Sequence, residues 1–246
     1  AAKKPSDIKL YGGAGGALSR KRPPAFPRMV ITMLRVLHSV SNMDRAGIET
    51  MLMNYYRRID RDVLQFDFLV NKPKPGDYDE EIRSMGGHIY VSPGLNPIHY
   101  PDYQRYMQQI LSADRDIAIV HAHNEAMGYY ALRGAERAGI KTRIAHAHNT
   151  RIIRDYKWPL KMVCKQLLPR AATDLWSCGR DAGIYFFGRQ RWNACGMVMR
   201  NAVDTARLRF DPEVRAAVRA EHGLSDRTVI GHVGRFNLQK THPRLL

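Results

Sequence analysis

From Thr32 onward, short β-rich apolar runs alternate with segments of helical period, and no other feature limits the possible folds as tightly. The runs predicted as strands are 34–40, 65–70, 88–91, 117–123, 143–148, 174–177 and 196–203. Helical candidates lie between them at 48–58, 78–85, 103–112, 126–138, 156–168 and 180–187. Strands alternating with helices of about ten to fifteen residues build βαβ units and a parallel sheet. Several runs are almost continuously apolar, as a strand needs when helices cover both of its faces. The expected fold class is therefore α/β, a Rossmann-like parallel β-sheet flanked by helices. Residues 210–222 read as a linker helix opened by Asp211-Pro212 and closed by Gly223, and 228–233 as one further strand.

The flanks differ in character. Residues 1–28 are rich in Gly, Pro and Lys without apolar periodicity and are expected to be a disordered basic tail, with Met29 or Met33 as a natural start. Gly12–Ala17, reading GGAGGA, is no nucleotide fingerprint, because no strand precedes it and no amphipathic helix follows. The tail contributes to a net charge of +16 and a pI near 10.0, and a surface so basic seeks polyanions: phosphorylated substrates, anionic lipid or nucleic acid. Nucleic acid is not expected, since no RRM, zinc-finger or helix-turn-helix pattern is present. No apolar run approaches the roughly 18–20 residues of a membrane span, and no signal-peptide core opens the chain. The expected location is cytoplasmic, peripheral at the inner face of the membrane. Cys164, Cys178 and Cys195 have neither CxxC nor metal-ligand spacing and read as reduced thiols packed like small apolar residues.

In a parallel open sheet, ligands collect where strands end. After the first strand comes Ser41-Asn42-Met43-Asp44-Arg45-Ala46-Gly47-Ile48-Glu49. Asp44 is a candidate helix cap, Gly47 admits an anion to the backbone N–H groups, and Glu49 suits the first turn of the helix. The fourth and fifth strands end in His121-Ala122-His123-Asn124 and His146-Ala147-His148-Asn149. Two such endings on neighbouring strands aim like-oriented side chains at one rim. The imidazoles read as polar contacts to a hydroxylated substrate, as packed structural residues, or as a zinc site that lacks nearby Cys or carboxylate partners. His123 is the best placed. At the far end, GRFNLQK carries Arg235 and Lys240 on a strand-to-loop turn suited to a diphosphate.

Taken in order, these segments resemble the retaining glycosyltransferases of family four, which have the two-domain GT-B architecture. The resemblance runs from VLHSVSNMDRAGIETMLMNYYRRID through IAIVHAHN, RIAHAHNT, CGRDAGIYFFG and RNAVDTARLRF to VIGHVGRFNLQKTH, and is nearest to the capsular, exopolysaccharide and O-antigen branch. It implies an N-terminal acceptor-side domain at 29–205, and at 206–246 a linker helix with only the start of a nucleotide-sugar domain. It implies His123 beside the transferred sugar. Gly47, Glu49, His148, Asn149 and Asn201 become substrate contacts, and Arg235 and Lys240 hold the donor diphosphate. The implied partners are a nucleotide-diphosphate sugar and a glycan or polyprenyl-linked acceptor, with no metal cofactor. The sequence departs from the family pattern at Ala46, where a glycine is common, and at Arg200 and Ala202. The expectation for the whole is a truncated second domain and an enzyme doubtful on its own. The alternative is a non-catalytic basic Rossmann-like module docking on an anionic membrane or a partner chain.

Overall fold

The structure, a computed structural model, describes residues 33–232. Among them, seven parallel strands form one sheet in the order β3-β2-β1-β4-β5-β6-β7. The strands are β1 (Leu34–Val40), β2 (Leu64–Val70), β3 (Ile89–Val91), β4 (Ile117–Ala122), β5 (Thr142–Ala147), β6 (Asp174–Ser177) and β7 (Gly196–Val198). The helices are α1 (Gly47–Tyr56), α2 (Asp79–Ser84), α3 (Tyr100–Ala113), α4 (Tyr129–Arg137), α5 (Trp158–Ala171), α6 (Arg180–Phe187), α7 (Arg189–Cys195) and α8 (Pro212–Glu221), with a 3₁₀ turn at Glu125–Gly128 leading into α4.

The strand order fixes which helix lies on which face. From β1 the chain steps outward to β2 and β3, then crosses back through α3 to β4 and steps the other way. Right-handed crossovers in opposite directions put their helices on opposite faces. One face accordingly packs Val36, Val40, Phe66 and Phe68 against Met51, Leu52 and Tyr56 of α1 and Ile82 of α2. The other packs Leu37, Leu69 and Val120 against Met107 of α3, Leu132 of α4 and Leu168 of α5. β1 and β2 are buried at six of seven positions each, which explains their apolar runs. The direction reverses between β1 and β4, and a crevice at that reversal is the usual ligand position in such sheets.

A buried ion pair holds the opposite end of β1. Arg35 donates from Nε to Asp67 Oδ2 at 2.6 Å and from Nη2 to Asp67 Oδ1 at 2.5 Å. Asp67 also accepts from the His88 backbone N–H at 2.7 Å.

Several expectations change in detail. The strand expected over 196–203 stops at Val198, and the chain then returns to α1, where Tyr55 Oη donates to the Arg200 carbonyl and Asn54 Nδ2 to the Ala202 carbonyl. Residues 228–232 of the strand expected at 228–233 are not a strand, because no neighbour among the described residues offers them a ladder; Ile230 is exposed. Asp44 caps nothing: α1 begins after Ala46 without a side-chain cap, while Asp44 accepts from Asn42 and pairs with Lys74. α7 was not expected from the sequence. Gly188, at φ +83°, turns the chain out of α6, and Trp192 then packs so close to Gly183 that a Cβ there would lie 2.3 Å from its ring. Of the thiols, Cys164 is buried as expected, Cys178 is half-buried and Cys195 is exposed, so the packed-thiol reading fails for Cys195. The linker helix forms as α8, with Asp211 Oδ1 accepting from the N–H groups of Glu213 and Val214. Residues 1–28, Arg235 and Lys240 lie outside the described residues.

Candidate functional site

The reversal of strand order between β1 and β4 brings five histidines together on the α1 face. His38 of β1 is in register with His121 of β4, and the i, i+2 alternation of strands puts His123, His146 and His148 on the same side. Phe66 and Phe68 flank the row at β2 and Trp176 at β6, with the His38 and Phe66 ring centroids 4.3 Å apart. His38, His121, His123 and His146 are all buried; His148 is half-buried at the rim. Burial forces each ring toward its neutral form: His38 falls to about 3, His146 to about 2 and His148 to about 4, and His121 and His123 fall well below the ordinary histidine range.

Three of these rings form a relay. His38 Nδ1 meets His123 Nε2 at 3.1 Å, and His123 Nδ1 meets His148 Nε2 at 3.0 Å. His121 Nε2 meets His146 Nδ1 at 3.1 Å in a separate pair. A neutral imidazole has one N–H and one acceptor nitrogen, so the relay has only two fully bonded arrangements. In one, His38 donates to His123 and His123 to His148; in the other, every proton points the opposite way. The tautomer of His123 is therefore tied to those of His38 and His148. His38 Nε2 and His146 Nε2 are buried without a hydrogen-bond partner among the described residues.

Beyond His123 the chain turns sharply through Glu125, whose φ of +51° is a conformation that non-glycine residues rarely adopt. Its carboxyl group accepts from Asn149 Nδ2 at the end of β5, and burial raises its pKa against the opposing effect of that bond. His123, Glu125, His148 and Asn149 thus form one cluster at the ends of β4 and β5. Gly47 opens α1 at the same edge of the sheet, after β1, with open space where a Cβ would stand. Glu49 occupies the first turn of α1. Asn201 is not with them: its neighbours are bonded to Asn54 and Tyr55, about 10 Å further along the helix axis.

His38 and Glu125 are the members that sequence reading missed. His38 had a signal, a polar residue inside an otherwise apolar strand. Glu125 had none, because its role depends on a backbone angle.

Two triads of ring nitrogens, those of His38, His121 and His123 and of His123, His146 and His148, each lie within 4.8 Å of one another. Neutral imidazoles suit zinc, copper or nickel, so these are the residues able to hold such an ion. A third group, Asp67, His88 and Asp114, already holds a cation, the Arg35 guanidinium.

No family model matches the chain. Over 217 residues, or 86% of its length, the chain is 34% identical to EpsF of Bacillus subtilis, a protein provisionally named a glycosyltransferase. It is also 27% identical over 118 residues to CapH of Staphylococcus aureus, a capsular polysaccharide biosynthesis glycosyltransferase. In sequence the chain is thus similar to two proteins named as glycosyltransferases, one of them for capsular polysaccharide biosynthesis. It spans 56% of the length of EpsF and the match covers 30% of CapH. In structure it resembles Anabaena HepE, solved in complex with UDP, with a TM-score of 0.65 and 15% identity over 86% of this chain and 56% of that one. At that identity the likeness shows the fold: an α/β, Rossmann-like domain like the N-terminal half of a GT-B protein.

Proposed function

We propose that this chain is the acceptor-side part of a retaining glycosyltransferase, moving a sugar from a nucleotide-diphosphate donor to a glycan or polyprenyl-linked acceptor in cell-surface polysaccharide synthesis. The observation that carries this reading is the neutral His123, held by His38 and His148 at the end of β4, where the strand order reverses. A neutral imidazole can exchange hydrogen bonds with a sugar hydroxyl without placing a charge beside the reacting carbon. Glu125 and Asn149 supply a second acceptor and donor at the same rim.

As the glycosidic bond breaks, the leaving diphosphate gains negative charge. In this reading the uncapped first turn of α1 meets part of it at Gly47, and Arg235 and Lys240 meet the rest. Attack from the front face needs no protein nucleophile, since the leaving phosphate takes the acceptor's proton. No metal is required for these steps. HepE's complex with UDP favours a uridine nucleotide as the donor's base. The whole would work peripherally at the inner face of the membrane, where a polyprenyl-linked acceptor resides.

The test uses the protein carrying a complete donor-binding half. UDP release from UDP-glucose, in the presence of acceptor, should depend on His123, Arg235 and Lys240, and the product should keep the donor's anomeric configuration by NMR. Inverted product, or near-normal turnover in all three alanine variants, would refute the assignment.

A further inference from the structure

The loop from β5 into α5 lies immediately past His148 and Asn149 and combines apolar, aromatic and basic side chains in an unusual way. Ile152 is buried and anchors it, with its N–H donating to Tyr185 Oη at 3.1 Å. Around that anchor Ile153 is 67% exposed, Tyr156 88% and Trp158 36%. Lys157 ties the loop to its neighbour after β3, donating to the Leu95 carbonyl at 3.1 Å, and that second loop exposes Ile98 at 84%. Single exposed apolar residues need no explanation, but three in six residues, beside a second loop bearing another, are a patch.

The charge around this patch has one sign. Residues 151–161 hold four Lys or Arg and a single acid, Asp155, which is already paired with Lys161 at 2.6 Å. The Arg154 guanidinium lies 5.5 Å from the Trp158 ring centroid, and Lys157 Nζ 5.5 Å from that of Tyr156. Arg154, Asp155, Tyr156, Trp158 and Pro159 line an open depression of about 510 Å³. No helix among the described residues is long and apolar enough to cross a membrane.

We infer that this loop is a membrane-docking surface for an anionic bilayer. Ile153 and Tyr156 enter the headgroup region, Trp158 lies at its boundary, and Arg151, Arg154 and Lys157 meet the lipid phosphates. Aromatic rings with one polar edge favour that boundary, and basic side chains beside them bind anionic leaflets. Another protein would be expected to meet some acid at the rim of its interface, whereas an anionic leaflet calls for the one-signed charge found here. The inference rests on the proposed function only for its purpose: docked this way, the protein would hold the His123 rim beside the headgroups, where a lipid-linked acceptor emerges.

The experiment is co-sedimentation of the full chain with vesicles of pure phosphatidylcholine or of the same lipid with about 30% phosphatidylglycerol. Binding should require the anionic lipid and weaken in high salt. Ile153→Ser with Tyr156→Ser should lower partitioning by about tenfold, and Arg151→Glu with Arg154→Glu by at least as much. These side chains are on the surface, so both variants should unfold at the unmodified temperature, which separates lost docking from lost folding. The basic segment 1–28 is present in every variant and cannot account for a difference between them. Equal partitioning of the Ile153/Tyr156 variant and the unmodified chain overturns the inference. So does self-association, lost in the same variant, without vesicle binding. His123→Ala should leave partitioning intact, and the loop variants should keep transfer to a water-soluble acceptor in the completed enzyme. Failure of docking and failure of the enzymatic reading are thereby told apart.

Discussion

β1 buries two polar side chains, Arg35 near its start and His38 near its end, and their surroundings are opposite in kind. Arg35 has a bidentate carboxylate, Asp67, which is itself bonded to the His88 backbone N–H. Bonding to Asp67 raises the pKa of Arg35 despite burial, so the guanidinium stays charged. His38 has only other neutral imidazoles, and its Nε2 has no hydrogen-bond partner among the described residues. At one end of the strand the polar groups satisfy each other and can do nothing else. At the other, burial keeps a row of rings uncharged and leaves capacity unused. The first arrangement serves the fold; the second is costly for the fold and useful for binding.

Acid should expose this contrast most strongly. A buried histidine held below its ordinary pKa binds no proton while folded but binds one when unfolded, so stability is full above about pH 6.5 and is lost as pH falls. His38, His146 and His148, at about 3, about 2 and about 4, remain neutral in the fold over that range. Each removes up to about 1.4 kcal/mol per pH unit, so the three together remove roughly 4 kcal/mol per unit below pH 6.5. Urea midpoints measured from pH 8 to 5, by far-UV circular dichroism, should stay level and then drop steeply. A level profile throughout would mean that the histidine row is not buried as described.

Breaking the ion pair should act differently. Asp67→Ala leaves the Arg35 charge buried with Asp114, 3.4 Å away, as its remaining carboxylate, and should cost about 3 kcal/mol throughout pH 8 to 5, by the same urea measurement. If its cost vanished at neutral pH, the two ends of β1 would not differ as argued. His123→Ala in the completed enzyme should lower turnover by about 100-fold or more while leaving the unfolding midpoint less affected than Asp67→Ala does. A loss of stability as large as that of Asp67→Ala, with turnover kept, would make His123 structural. The smallest effect is expected at Gly47, where an added Cβ meets nothing in the protein. Gly47→Ala should raise stability by about 0.5 kcal/mol while weakening donor binding, measured by titration calorimetry with UDP-glucose in the completed enzyme. Unchanged donor affinity would remove Gly47 from the site.

Much of this was legible in the residues. The periods of the apolar pattern located β1, β2, β4, β5, β6 and most helices, because a strand between two helical layers must be apolar on both faces and an amphipathic helix on one. The HxH pairs of β4 and β5 were legible as a rim for the same reason: alternation fixes which side chains share a face. α7 was not, since it depends on Trp192 finding two glycines, Gly183 and Gly196, to pack against. The strand expected at 228–233 looked right locally and failed over 228–232, because a strand is made by its neighbour and not by its own propensity.

The sequence by itself therefore determined the α/β class, the parallel sheet and the candidacy of His123, His148 and Asn149, since these follow from local period and from the rule that ligands gather at strand ends. Tertiary structure decided what those residues become. Strand order placed His38 against His123, 85 positions away, and burial made the rings neutral. It also joined Glu125 to Asn149 across two strands and moved Asn201 away along α1. Contacts of that separation are set by register and by the side to which each crossover turns, and no local pattern of residues records either.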